Sequence, residues 1–252
     1  GALMQSILRI ACLCVLLLIA CVDASAKPDT PEATQAQAEQ AVTRGKRQQP
    51  AFALLAGQQE GFEAEWQEQL RQQLIVGTRG SPDAISNAIA TAMAVFAAGG
   101  YLASADDASV DAFFQQQRFL VSRARTDDRL CARLLNTPSA RRDSAGEVPW
   151  LMQKPYRDRQ AALQQAVTQL LMSGNGKAPR MLPPDDAERF MQRTASQMAA
   201  RFGPDSLKDY EAMLDDNAGP AQRCKGLYQL METINAQAPE LRAQMVRQFF
   251  GD

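Results

Sequence analysis

Seven arginines fall between positions 118 and 142: Arg118, Arg123, Arg125, Arg129, Arg133, Arg141 and Arg142. Only Asp127 and Asp128 oppose them inside that window, so the segment is locally basic in a chain that holds 27 basic and 28 acidic side chains overall. A guanidinium is a planar fork of donors that fits carboxylate and phosphate groups. Arg123, Arg125, Arg129 and Arg133 are therefore the candidates for holding an anionic partner: lipid headgroups, lipopolysaccharide, wall carboxylates or an acidic protein surface. The plainer account of the same residues is a solvated helix face on which Asp128 balances Arg125 and Arg129.

Acidic residues cluster at Glu60, Glu63, Glu65 and Glu68, at Asp106, Asp107 and Asp111, and at Asp215 and Asp216. Two carboxyl groups roughly 5 to 9 Å apart across a cleft suffice to hydrolyse a glycosidic bond. Trp66 beside Glu65 and Glu68, and Trp150 near Tyr156, are of the kind that stack on sugar rings. Helix starts and solvated faces also explain these acids, and core packing explains the tryptophans. Histidine is absent, which removes Ser-His-Asp and Cys-His catalysis, His-ligated zinc and His-held haem. Ser173-Gly174-Asn175-Gly176-Lys177 departs from the phosphate-loop pattern. No catalytic residue, metal site or cofactor is assigned.

Cys131 and Cys224 stand apart from Cys12, Cys14 and Cys21, which lie in the leading apolar stretch. Arg129-Leu130-Cys131 and Arg223-Cys224-Lys225 both read as helical with the cysteine on the apolar side. Neither cysteine belongs to a C-x-x-C, so a staple between two helices is expected rather than a redox site. In an exported chain such a bond removes about 4 kcal/mol of loop entropy from the unfolded state.

The elements that must carry these residues are helices. Ala and Gln are plentiful, Val, Ile and Thr are sparse, and no stretch alternates with period two, so the fold expected is all-α: an irregular bundle of about eight helices. Phe62, Trp66, Leu70 and Leu74 recur every fourth residue and stop at Gly77. Ser81-Pro82-Asp83 opens a helix that Gly99-Gly100 closes. Helical period resumes at Ser109 and runs to Leu135, with a new cap at Thr126-Asp127-Asp128. An irregular segment follows to Pro155. Further helices start near Tyr156, at Pro184, at Asp205 or Ser206, at Pro220 and at Pro239. From Lys27 to Pro50 the only large apolar residue is Val42, which predicts a flexible tether over 27–50 ahead of a helical domain over 51–252.

The first 26 residues decide the compartment. From Met4 they run through one basic residue, Arg9, into an uncharged apolar stretch from Ile10 to Val22 that is too short to span a membrane, and then into small residues. Ala24-Ser25-Ala26 is an exit that would release a soluble periplasmic or secreted protein. Leu18-Ile19-Ala20-Cys21 resembles the lipobox of bacterial lipoproteins. That resemblance implies cleavage before Cys21 and a diacylglycerol on its thiol. With Val22 rather than Asp next, it further implies the outer membrane. The body would then sit in the bacterial cell envelope on the periplasmic side, held through its N-terminal lipid. Arg9 is the only charge before Cys21, so the mature chain carries 26 basic and 28 acidic side chains. A balance near minus two argues against nucleic acid as a partner. The function expected is a helical binding or interaction module for a protein or envelope component, an inhibitor or immunity-type protein of a wall hydrolase being one form. The alternative is a carboxylate-based enzyme acting on cell-wall polymer.

Overall fold

The computed structural model describes residues 30–134 and 150–251; the leading apolar stretch with Cys21, together with Arg141 and Arg142, lies outside them, as do the side chains of Arg129 and Arg133. Every regular element among the described residues is helical, and none of those helices is long and apolar enough to cross a membrane.

The first helix corrects the expectation of a tether over 27–50. Helix α1 spans Pro31–Gln48. Thr30 caps it, its Oγ1 accepting from the Ala33 amide at 3.1 Å, and Pro31 pre-sets the first turn. Lys46 and Arg47 sit in the last turn, where cations offset the helix dipole. Thr34, Ala38, Ala41 and Val42 are all buried, which is the i, i+4, i+7, i+8 stripe of an amphipathic helix written in small residues. Large apolar side chains were the wrong criterion: alanines bury a helix when its neighbour can come close.

The neighbours here are three further helices. Helices α2 (Pro50–Gln58), α3 (Phe62–Ile75) and α4 (Pro82–Ala97) pack around α1. Trp66 is fully buried between them, with Phe52 and Phe62 edge-on at 5.3 and 6.2 Å and its indole nitrogen donating to the Ser86 carbonyl at 3.0 Å. That bond matters because a buried indole donor left unpaired costs on the order of 1 to 3 kcal/mol. A Cβ on Gly45 would stand 2.7 Å from the Trp66 ring, so α1 needs hydrogen at that position. Ser81 caps α4 through its Oγ as its sequence predicts.

The chain then makes a short turn of helix, α5 (Gly99–Leu102), and the long helix α6 (Asp107–Ala124), capped by Asp106, whose carboxylate accepts from the Ser109 amide at 2.8 Å. Helix α7 (Asp128–Leu134) begins where the sequence breaks, the Asp127 carboxylate taking the Leu130 amide at 3.0 Å. Two 3₁₀ turns, Trp150–Met152 and Tyr156–Arg159, lead into α8 (Gln160–Gly174), which packs on α6 and α4. Helices α9 (Pro184–Phe202), α10 (Ser206–Leu214), α11 (Pro220–Asn235) and α12 (Pro239–Phe250) complete the bundle. The helix at 31–48, the split around residue 127 and the short pieces raise the number above the eight expected.

Cys131 and Cys224 are joined, across a sequence separation of 93 and with Cα atoms 5.9 Å apart. The bond ties α7 to α11 in the buried core. Beside it, α10 and α11 approach until a Cβ on Gly226 would lie 2.1 Å from the Asp209 carbonyl oxygen, a separation no side chain tolerates.

Candidate functional site

The structure separates the arginines of the basic segment into three groups. Arg118 faces inward and pairs with Glu232, Nε to Oε1 at 2.5 Å, and Arg201 meets the same carboxylate at 3.8 Å. It is a joint between α6 and α11, not a free cation. Arg129 and Arg133, placed by sequence among the anion-binding candidates, stand on α7, and their side chains lie outside the described residues. Arg123 and Arg125 lie at the end of α6, exposed.

Both exposed arginines lie over aromatic rings. The guanidinium carbon of Arg125 is 3.9 Å from the centroid of Tyr228. Tyr228 stands one helical turn after Cys224, so the disulfide that holds α7 against α11 also brings this ring under the end of α6. Arg123 lies 5.5 Å from the centroid of Phe119, and Arg159, at the start of α8, lies 4.3 Å from the same centroid. Two positive charges are thus at most 9.8 Å apart across one ring, close to the screening length of about 8 Å at physiological salt. Among the described residues none of the three has a carboxylate within ion-pair distance.

A guanidinium resting on a ring gains cation–π attraction of about 0.5 to 1 kcal/mol at an exposed site. Its face is occupied, and among the described residues no carboxylate meets its edge. The edge carries the N–H donors that match a carboxylate or phosphate in pairs. The ring also limits the rotamers of a long side chain, so less freedom is lost when an anion docks. Phe119 and Arg123, at i and i+4, are a sequence signal for one half of this arrangement. Arg159 and Tyr228 come from distant elements, and no spacing rule reveals them.

Trp150 and Tyr156 lie behind the same face but do not present a stacking platform. They are buried, edge-to-face at 5.7 Å. Burial, with Asp127 nearby, pushes the Tyr156 phenol up, while Arg123 pulls it down. Trp66, the other candidate sugar platform, is a core residue.

The acidic clusters are spent on structure. Glu63 pairs with Lys46 at 2.6 Å, and the Glu68 carboxyl is held down at about 2 by its hydrogen bonds from Arg71 and Gln72. Asp107 takes Arg247 at 2.6 Å and Arg180 at 3.2 Å, and Asp111 takes Arg242 through two bonds of 2.5 and 2.8 Å. Asp216 pairs with Arg223. Glu60 and Glu63 do line an open depression of about 550 Å³ at the α2–α3 turn, with Gln58, Gln59 and Gln67. A glycosidase needs one carboxyl kept neutral by a dry environment; among the described residues the carboxyls that shift clearly, Glu68, Asp106 and Asp158, all shift downward. Among the described residues no group of three or more Cys, Asp and Glu converges as metal ligands would. Compared with family models, curated proteins and solved structures, the chain matches none.

Proposed function

We propose that this chain is a lipoprotein of the bacterial envelope, anchored through Cys21, whose helical body works by binding an anionic partner at the Arg123, Arg125 and Arg159 face. The observation that supports the reading is the pair of exposed guanidiniums on Phe119, neither of which has an ion-pair partner among the described residues. Two exposed cations held on one ring are placed so that a single anion can meet the donors of both. Carboxylate or phosphate groups on a protein surface or an envelope polymer have the required chemistry.

The test is crosslinking of the tagged full-length chain in its own cells, followed by mass spectrometry of what is captured. Replacing Arg123→Glu and Arg159→Glu together should abolish capture and leave the melting temperature within a few degrees, because both side chains are exposed and surface substitutions cost under about 0.5 kcal/mol. Lys208→Glu, an exposed lysine on α10, should leave capture intact. Capture that survives the double reversal would sink the arginine face. Release of soluble fragments from purified wall polymer by the intact protein would replace the binding module with the carboxylate enzyme. Cys21→Ser should abolish acylation, with any release then depending on the Ala24-Ser25-Ala26 exit.

A further inference from the structure

Helix α11 meets α6 and α7 through contacts that follow one another in antiparallel order. Gln115 Nε2 donates to Asn235 Oδ1 at 3.0 Å, Arg118 pairs with Glu232, Arg125 lies over Tyr228, and Cys131 is bonded to Cys224. Positions rise along α6 and α7 as they fall along α11, so these contacts are successive rungs of one ladder. The first two are held by hydrogen bonds and charge, and the last is covalent. The third is a guanidinium resting 3.9 Å from the Tyr228 centroid. A cation–π contact at an exposed site is too weak to order a long side chain unaided. Its nearest fastening is the disulfide, since Cys131 follows Arg125 by six positions and Cys224 precedes Tyr228 by four. The Arg118 rung lies two helical turns back, about 10 Å along α6. Between Arg125 and the bond stands α7, whose 7 residues fall well short of the length that persists alone in water.

We infer that the Arg125 part of the arginine face is assembled by oxidation: the Cys131–Cys224 bond sets Arg125 on Tyr228, and a chain with free thiols lacks that part of the face. The inference rests on the anion-binding reading of this face and adds Tyr228 to it as a positioning residue. Closing the bond takes two protons and two electrons from the thiols of Cys131 and Cys224 and gives them to an incoming disulfide, which leaves as two thiols. In a chain exported as proposed above, that step follows transfer to an oxidising compartment. Both cysteines are buried, so the closed bond is shielded from thiolates in solution and the setting is made once, at folding. The other part of the face is independent of it. Phe119 and Arg123 stand one turn apart on α6, and Arg159 arrives with α8, so no step of that contact runs through the bond.

The test uses the full-length chain in detergent micelles with isotope-labelled arginine, reading the side-chain Nε–H signals by nuclear magnetic resonance after assignment with Arg125→Lys and Arg159→Lys. A ring shifts the protons of a guanidinium stacked on it upfield. In the oxidised parent Arg125 and Arg159 should both be shifted, and Tyr228→Leu should release Arg125 alone. Replacing Cys131→Ser and Cys224→Ser together should move Arg125 to the position of an unstacked arginine while Arg159 keeps its shift. Affinity for inorganic triphosphate should then fall about two- to ten-fold, to the level of Tyr228→Leu. An Arg125 shift that survives the loss of both cysteines would overturn the inference. Loss of both shifts would also overturn it, since the bond would then hold the whole bundle and not this contact. The expected shifts without triphosphate binding by the oxidised parent would remove the anion-binding reading and leave the oxidation-dependent contact standing.

Discussion

The region from α1 to α4 and the region from α6 to α12 are both helical, yet they are held by different chemistry. In the first, close contact is set by small residues: Gly45 lets α1 reach the Trp66 ring, and Ala38, Ala41 and Ala88 are buried with no bulk of their own. Its charged contacts, Arg44 with Asp83 and Lys46 with Glu63, are surface pairs of the kind that contribute 0 to about 1 kcal/mol. In the second, inter-helix contacts are fixed by direction: Arg118 with Glu232, Arg242 with Asp111, Arg247 with Asp107 and the Ala105 carbonyl, and a covalent bond between α7 and α11. Dispersion and burial decide how near helices come. Forks and bonds decide which partner each helix takes, which matters more where several similar helices must find one arrangement.

Trp66→Ala should be the largest blow to this contrast, costing about 3 to 5 kcal/mol in chemical denaturation because a large cavity opens where α1, α3 and α4 meet. A loss well under 1 kcal/mol would mean that the first region does not depend on its ring. Replacing both Cys131 and Cys224 by serine should cost about 2 to 5 kcal/mol. Hydrogen exchange on that variant should show α7 and α11 losing protection while α1, α3 and α4 keep theirs; uniform loss would erase the distinction between the regions. The smallest effect sharpens it at acid pH. The Asp106 carboxyl is held below its ordinary value chiefly by the Ser109 amide, so its contribution is full above that ordinary value and disappears as pH falls through the lowered one. Asp106→Ala should therefore cost about 1 kcal/mol at neutral pH, and the gap to the parent should close as pH drops below about 4. A gap that persists in acid would mean that the cap acts without its charge.

Much of this was legible in the sequence where a local rule was enough. Ser81-Pro82, Asp127-Asp128, Pro184, Pro220 and Pro239 mark helix starts because a cap or a fixed φ acts within a few residues. Cys131 and Cys224 pair as expected because an even pair on two apolar faces has little else to do. Helix α1 was hidden because its stripe is Thr34, Ala38, Ala41 and Val42, and small residues bury well only against a partner that sequence does not show. The arginine face was half legible: Arg123 and Arg125 are exposed with no ion pair among the described residues, while Arg118 turns to Glu232. Arg159 reaches Phe119 only through the packing of α8 on α6, a contact between positions 40 residues apart, and hydrophobic period carries no information about it.

The bond between Cys131 and Cys224 also changes what a protease can do to this molecule. The residues between them form a covalent ring that includes α8, α9 and α10 as well as positions 135–149. One cut anywhere in that ring opens it without dividing the molecule. The two ends of the cut chain remain on one particle. Only a cut together with a reductant, or a cut outside the ring, can set a piece of the body free.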